Sequence, residues 1–272
     1  MKKRIISGAV FTTILILVMF VNVPLVDTLL VVFLSVVGIY EYNKAFKNIG
    51  YKPISWVGYI GCLALFATGT LLSDENRMLL VKIGVPTLII ALFTYMILTN
   101  LKRSIIDVAI TVFSLLYIPF MFSFIKLILS MENGRILIWY VFLGAFMSDT
   151  FAYLIGSKFG KTKLCPDISP KKTVEGAMGG ILGVVIAYCI LNFISSKFFS
   201  LHISYVTIVI AGIIAGISGQ FGDLSASAIK RYCKIKDFGN LIPGHGGILD
   251  RFDSVLFVAP IIYIFLKVYI IF

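Results

Sequence analysis

The chain has 272 residues, of which 59% are hydrophobic and only 14% are charged, and its formal net charge is +11. Soluble domains contain about 45–50% apolar and about 25% charged residues, and a core of this size still needs a polar surface. The composition therefore excludes an ordinary soluble domain and indicates membrane-spanning helices. The four cysteines are widely spaced and form no CxxC pair, so we expect neither a disulfide framework nor a zinc site.

Apolar runs that can cross a bilayer recur along the whole chain. The predicted fold is all-α, a polytopic integral membrane protein with about nine transmembrane helices. The predicted spans are about 5–22, 24–40, 54–73, 79–99, 104–129, 135–157, 175–195, 203–229 and 252–272. No small-x-small cleavage site follows the basic start Lys2-Lys3-Arg4, so the first run is predicted to be retained as a span.

No polar linker or fixed repeat interrupts this series, so residues 1–272 are predicted to form a single membrane domain. Within it, 1–134 holds the N-terminal spans, and 135–272 holds the catalytic helices and loops. Two glycine series, Gly176 to Gly183 and Gly212 to Gly219, are predicted to be faces where helices pack closely.

Basic residues segregate to one predicted side of the membrane. If the N-terminus is cytosolic, most of the 24 lysines and arginines fall on the cytosolic side, together with the two longest loops, about 158–174 and 230–251. The chain is therefore predicted to lie in the cell membrane with its N-terminus and active site facing the cytosol. Basic loops that contact anionic membrane lipid explain the positive charge without nucleic acid.

Four acidic residues are predicted to lie at similar depth on this same side. Asp149 and Asp223 lie about two turns inside the sixth and eighth spans, while Asp250 and Asp253 share one face at the start of the ninth. An aspartate at mid-span costs about 2.5–3.5 kcal/mol on insertion scales, so a basic partner or a cation must offset it. Oxygen ligands without a histidine cluster favour Mg²⁺ over zinc.

Simpler interpretations of these acids remain open. Asp253 at a helix start could be a capping residue, and Asp250 could form an exposed ion pair with Arg251. Asp149 could serve hydrogen bonding between helices. Three further acids lie nearer to the ends of spans and are given no role: Asp27, Glu41 and Asp107.

The two long basic loops have features of phosphate-binding segments. In Pro243-Gly244-His245-Gly246-Gly247, bare backbone N–H groups can approach an anion closely. The other loop, Ser169 to Gly176, places hydroxyl groups and two lysines before a helix N-terminus. Neither is a Walker A loop. Basic groups, backbone donors and carboxylates together are typical of phosphoryl-type transfer.

Three segments of the C-terminal half have a distinctive residue order. They are Ser148-Asp149-Thr150-x-Ala152-Tyr153, Ser169-Pro170-Lys171-Lys172-Thr173-x-Glu175-Gly176, and Ser227-x-Ile229-Lys230-Arg231-x4-Lys236-Asp237-x-Gly239-x2-Ile242-Pro243-x-His245-Gly246-Gly247-x2-Asp250-Arg251-x-Asp253. This order resembles the signature of the phosphatidate cytidylyltransferase (CDP-diacylglycerol synthase) family. The detailed match covers about 145–255.

The resemblance implies a homodimeric membrane enzyme that converts CTP and phosphatidate to CDP-diacylglycerol and pyrophosphate. It implies Mg²⁺ as cofactor, with a second, monovalent cation such as K⁺ in the same site. The implied metal ligands are Asp223 and Asp250, supported by Asp253 and Asp149. The implied catalytic residues are Asp223, Asp250, Lys230, Arg231 and His245. The implied substrate-binding residues are Ser169, Lys171, Lys172, Thr173, Glu175, Ser227, Lys236, Asp237, Gly246, Gly247 and Arg251.

Two alternative functions share some of these features. An ion-coupled transporter also contains intramembrane acids and Gly-rich broken helices, but its acids usually lie near mid-bilayer rather than towards one face. A CDP-alcohol phosphotransferase carries a Gly-x3-Asp-x3-Asp carboxylate motif, which the sequence lacks.

Overall fold

A computed structural model describes residues 21, 23–71, 74–241, 244 and 246–271. This part of the chain contains eight helices. They are α1 (Pro24–Asn48), α2 (Ser55–Leu71), α3 (Asp74–Leu98), α4 (Ile105–Leu129), α5 (Gly134–Phe159), α6 (Val174–Phe199), α7 (Tyr205–Tyr232) and α8 (Leu249–Ile271). The predicted span at 5–22 lies outside the described residues, so the predicted number of nine is not confirmed.

Within the described ranges, five helices, α1 and α4 to α7, are long and apolar enough to cross a membrane. Large apolar side chains such as Ile190, Phe193 and Ile210 stay exposed on their outer faces, as expected where lipid rather than water surrounds the helices. Two shorter apolar stretches lie at Ser55–Ala67 and Lys82–Leu98. The described chain is an all-α membrane protein, as predicted. Its four cysteines are free.

Two acids that the sequence left without a role hold helices in place. Asp27 in α1 forms a bidentate pair with Arg135 at the start of α5, at 2.9 and 2.6 Å. Asp107 completes a capping box with Ser104 at the start of α4 and also accepts the backbone N–H of Lys52 at 2.6 Å. Both carboxylates therefore have structural partners that explain their burial.

The segment between α5 and α6, predicted as a loop, contains a short hairpin. Strand β1 (Lys163–Cys165) pairs antiparallel with β2 (Ser169–Thr173). Glu175 in the first turn of α6 accepts the backbone N–H groups of Lys161 and Thr162, which ties the end of α5 to the start of α6. The hairpin is the exception to the all-α fold, and it positions the basic side chains of β2.

The glycine series pack helices closely, as predicted. A Cβ at Gly183 in α6 would overlap the Phe151 ring of α5, and one at Gly216 in α7 would lie 3.0 Å from the Cα of Ile181 in α6. At Gly222, in α7, a Cβ would lie 2.5 Å from the Asp253 carbonyl oxygen of α8. The missing side chains let α5 to α8 approach one another, so the acids that these helices carry also come close together.

This packing predicts that Gly183→Ala lowers stability while Gly84→Ala does not. The added methyl at position 183 must displace the Phe151 ring, at a cost of about 1–3 kcal/mol, whereas Gly84 in α3 has nothing within 4 Å of its would-be Cβ. Thermal unfolding followed by circular dichroism in detergent should show a lower midpoint for Gly183→Ala. For Gly84→Ala the midpoint should be unchanged or higher, because alanine favours a helix by about 1 kcal/mol over glycine. Equal midpoints for the two variants would contradict the packing.

Candidate active site

Three carboxylates from different helices converge at one end of the bundle. Asp149 lies in α5, Asp223 in α7 and Asp253 in α8, and each is close enough to the other two for electrostatic repulsion. The Ser254 hydroxyl donates to Asp149 Oδ2 at 3.3 Å. Asp253 is buried, whereas the Asp223 side chain keeps 26% of its surface exposed. The sequence prediction that acids from separate spans lie together therefore holds for these three residues.

Positive charge reaches this cluster from three basic residues, Lys172, Arg251 and Lys230. Lys172 in β2 forms an ion pair with Asp223 Oδ2, and Arg251 interacts electrostatically with Asp149. Thr173, next to Lys172, caps α6 by accepting the Gly176 N–H at 3.2 Å. The hairpin thus ends in a fixed helix start, which holds Lys172 over the acids.

Asp250 is engaged differently, because protein donors already hold both of its oxygens. Lys230 Nζ lies 2.8 Å from Oδ1, and the backbone N–H groups of Phe238 and Gly247 donate to Oδ2 at 2.8 and 3.0 Å. Only 4% of the Asp250 side chain is exposed. The alternative of an exposed Asp250–Arg251 pair is therefore wrong. Lys230 also interacts electrostatically with Asp253, so it lies between Asp250 and the three-acid cluster.

Capping also fails to explain Asp253. Its carboxylate interacts electrostatically with the other two acids of the cluster, and it accepts the N–H of its neighbour Ser254 at 2.8 Å. The burial of Asp253 beside like charges is costly, and the positive charge of Lys230 offsets part of that cost.

Glu41 of α1 is a carboxylate that the sequence interpretation missed. Its Oε1 accepts the Ile248 N–H at 3.0 Å, its Oε2 accepts the Leu249 N–H at 2.9 Å, and the residue is 2% exposed. It also interacts electrostatically with Asp250. Glu41, like Asp223, is an acid within an apolar run, and this was the signal that the sequence offered. The partners of Glu41, however, lie more than 200 residues away in the sequence.

The glycine-rich loop before α8, residues 238–247, contacts two carboxylates through its described residues. Gly246 has φ of +84°, and a Cβ there would lie 2.8 Å from Asp250 Oδ2. A side chain at Gly239 or Gly247 would overlap the Glu41 carboxylate. His245 lies outside the described residues. The Gly247 N–H predicted to contact phosphate thus donates to Asp250 instead, and its contact with substrate stays a prediction.

The remaining predicted residues lie around this end of the bundle. Arg231 Nε donates to the Ile168 carbonyl at 3.2 Å, which joins the end of α7 to the hairpin. Lys171, Lys236, Asp237 and Arg251 are exposed, and Ser169, Glu175 and Ser227 are partly buried.

The acids match Mg²⁺ in chemistry. Among the described residues, no group of three or more His, Cys, Asp or Glu side chains is arranged to hold a metal ion. The carboxylate oxygens of Asp149, Asp223 and Asp253 are nevertheless the hard ligands that Mg²⁺ prefers, and a divalent cation would relieve their repulsion. Lysine ammonium groups now supply that charge, at Asp223 and at Asp250. The metal remains a prediction.

Comparison with known proteins decides the family. The model of the cytidylyltransferase family matches residues 2–269. The chain is 34% identical to the phosphatidate cytidylyltransferase of Bacillus subtilis over 276 residues, which cover 99% of this chain and 98% of that protein. The chain belongs to the cytidylyltransferase family. This match confirms the resemblance found from residues 145–255 and extends it to the N-terminal helices.

Two further members of the family align over shorter stretches. The phosphatidate cytidylyltransferase of Thermotoga maritima is 40% identical over 156 residues, or 57% of each chain. That of Staphylococcus haemolyticus is 38% identical over 175 residues, covering 64% of this chain and 65% of the relative.

The buried Lys230–Asp250 pair predicts a clear pattern of stabilities. Lys230→Met removes the charge partner of a buried carboxylate and should destabilise the fold by about 3–5 kcal/mol. Adding Asp250→Asn to this variant should restore part of the lost stability, because the unpaired carboxylate charge at position 250 is then removed. Thermal unfolding of the two single variants and the double variant measures the coupling.

Lys163→Met, at the exposed first residue of β1, is the matched control for losing one positive charge. If Lys230→Met is as stable as the control, or if the double variant is no more stable than Lys230→Met, the pair does not stabilise the site.

Proposed function

We propose that the chain transfers the cytidylyl group of CTP to phosphatidate, which yields CDP-diacylglycerol and pyrophosphate, at the cytosolic face of the cell membrane. The observation that carries this proposal is the 34% identity to a phosphatidate cytidylyltransferase along nearly the whole chain. The acid and lysine cluster at one end of a membrane helix bundle supports it, because one substrate is in water and the other in the leaflet. Family membership gives no support to the transporter or the CDP-alcohol phosphotransferase.

The proposed chemistry is a displacement at phosphorus. A phosphate oxygen of phosphatidate attacks the α-phosphorus of CTP, and the bond from that phosphorus to the β-phosphate bridging oxygen breaks. Pyrophosphate leaves with the bonding electrons. The attacking phosphate is already anionic near neutral pH, so the site needs no strong general base. The main barrier is repulsion between two anions, which positioned cations lower.

Lysines of the site are suited to that task. Lys172 and Lys230 each hold an acid, Asp223 and Asp250 respectively. We propose that these two ammonium groups turn towards the substrate phosphates when other positive charge takes over the acids. Four further basic residues near the hairpin and the glycine-rich loop would neutralise the remaining phosphate charge: Lys171, Arg231, Lys236 and Arg251.

The other proposed contacts orient the substrates. His245, Gly246 and Gly247 would orient phosphate oxygens from the glycine-rich loop. Hydroxyl and acidic groups on the two loops complete the proposed substrate set: Ser169, Thr173, Glu175, Ser227 and Asp237. Thr173 and Glu175 also hold the start of α6 through backbone N–H groups, so their effect on substrate includes fixing the hairpin.

We propose that Asp223 and Asp250 hold Mg²⁺, with Asp149 and Asp253 in support and a monovalent cation such as K⁺ nearby. When bound, Mg²⁺ supplies Lewis-acid stabilisation of charge on phosphate oxygens. The carboxylates can take a cation only when Lys172 and Lys230 give up part of their contact with them. By family resemblance, the assembly is a homodimer.

The proposed function predicts that purified protein converts CTP labelled at the α-phosphate into a labelled lipid only when phosphatidate and Mg²⁺ are present. Asp223→Asn should lower this rate by about 100-fold or more, the scale expected when one group that stabilises transition-state charge is removed. Asp167→Asn, on the exposed turn of the hairpin, makes the same charge change away from the acids and should keep the wild-type rate.

Two results would overturn the proposal. Wild-type protein that forms no labelled lipid would reject the activity, and a fully active Asp223→Asn variant would reject the role of the acids.

A further inference from the structure

We propose that Glu41 is a positioning residue of the active site, because its carboxylate fixes the start of α8 and so the direction of Asp250. This inference rests on the proposed function for its kinetic consequences. It gives the N-terminal half of the chain a part in the site, although every residue implied by the sequence motifs lies in the C-terminal half.

The first support is the pair of hydrogen bonds that Glu41 accepts. A helix start leaves backbone N–H groups without partners inside the helix, and a negative charge there is favourable. Ile248 and Leu249 lie at the start of α8, and both donate to Glu41. A side chain of α1 therefore caps α8 from across the fold, one residue before Asp250.

The second support is that both ends of the glycine-rich loop contact the same two carboxylates, those of Glu41 and Asp250. At its beginning, the Phe238 N–H donates to Asp250 and Gly239 abuts Glu41; at its end, the Gly247 N–H donates to Asp250 and Gly247 also abuts Glu41. Both ends of the loop thus contact the same two acids. A shift of the Glu41 carboxylate must move the loop ends and, with them, the donors that orient Asp250.

The third support is the close approach of α1 to α8. A Cβ at Gly38 would lie 3.2 Å from the Leu249 side chain and 2.9 Å from that of Ile118 in α4. Gly38 and Glu41 are three residues apart and so share a helix face. That face is held between α4 and the start of α8, which leaves the Glu41 carboxylate little freedom to move.

Glu41 acts through Asp250 and the loop. Its hydrogen bonds are to backbone N–H groups at the start of α8, and its electrostatic neighbours are Asp250 and Lys44. In Glu41→Gln, the side chain keeps its size but presents an NH₂ group to one of the two backbone donors. That variant loses one acceptor and the negative charge while filling the same space.

The test compares Glu41→Gln with Glu132→Gln, an exposed acid before α5, in the full-length protein. For Glu41→Gln we expect kcat to fall at least 10-fold, with KM for phosphatidate changed less than 2-fold. We also expect Mn²⁺, used as an electron paramagnetic resonance probe in the absence of substrate, to bind at least 5-fold more weakly. The control should keep wild-type values. A Glu41→Gln variant with wild-type kcat and Mn²⁺ affinity would overturn the inference.

Gly239→Ala gives a second test that keeps the carboxylate. Its methyl group must push Glu41 aside, so the same loss of kcat and of Mn²⁺ affinity is expected, and wild-type values would again overturn the inference even where Glu41→Gln does not fold. Failure of the proposed function can be distinguished from failure of the inference about Glu41. Wild-type protein that makes no CDP-diacylglycerol rejects the function, while the Mn²⁺ comparison still tests Glu41.

Discussion

Negative charge buried between membrane helices has to be offset, because charges separated from water interact strongly and are costly when unpaired. Five acids lie at one end of this bundle, namely Glu41, Asp149, Asp223, Asp250 and Asp253. Lysines, an arginine and backbone N–H groups lie around them. The close glycine contacts, the hairpin and the loop before α8 all serve to bring these donors within reach. The architecture of this end follows from that electrostatic requirement.

The negative charges of the five acids are offset unevenly, and the proposed chemistry lies where they are offset least. Glu41 and Asp250 are held by backbone N–H groups, and Asp250 also by Lys230, which fixes the direction of both carboxylates. The other three acids repel one another, and their partners among the described residues are mainly flexible basic side chains, with a serine hydroxyl at Asp149 and one backbone N–H at Asp253. Such a cluster attracts cations, and cations are what two anionic substrates require. Lys230 links the two groups of acids, because it pairs with Asp250 and also interacts electrostatically with Asp253.

The helices were predictable because a lipid-exposed backbone must form helices, and each long apolar run predicted from residue 24 onwards is helical. The convergence of Asp149, Asp223 and Asp253 followed from their equal depth. The hairpin was missed because Lys163–Cys165 and Ser169–Thr173 are short and polar, without the alternation that marks a strand. Glu41 was missed because its partners are backbone groups of distant residues, which no sequence pattern reveals. The separate environment of Asp250 likewise depends on how the loop folds.

The most direct test of a cation-binding role for these acids is an anomalous diffraction map of crystals grown with Mn²⁺ and CTP. The proposed site predicts an anomalous peak contacted by the carboxylates of Asp223 and Asp250, with Lys172 and Lys230 moved from the positions they occupy in their present ion pairs. A map with both lysine–aspartate pairs intact and manganese bound elsewhere would contradict it.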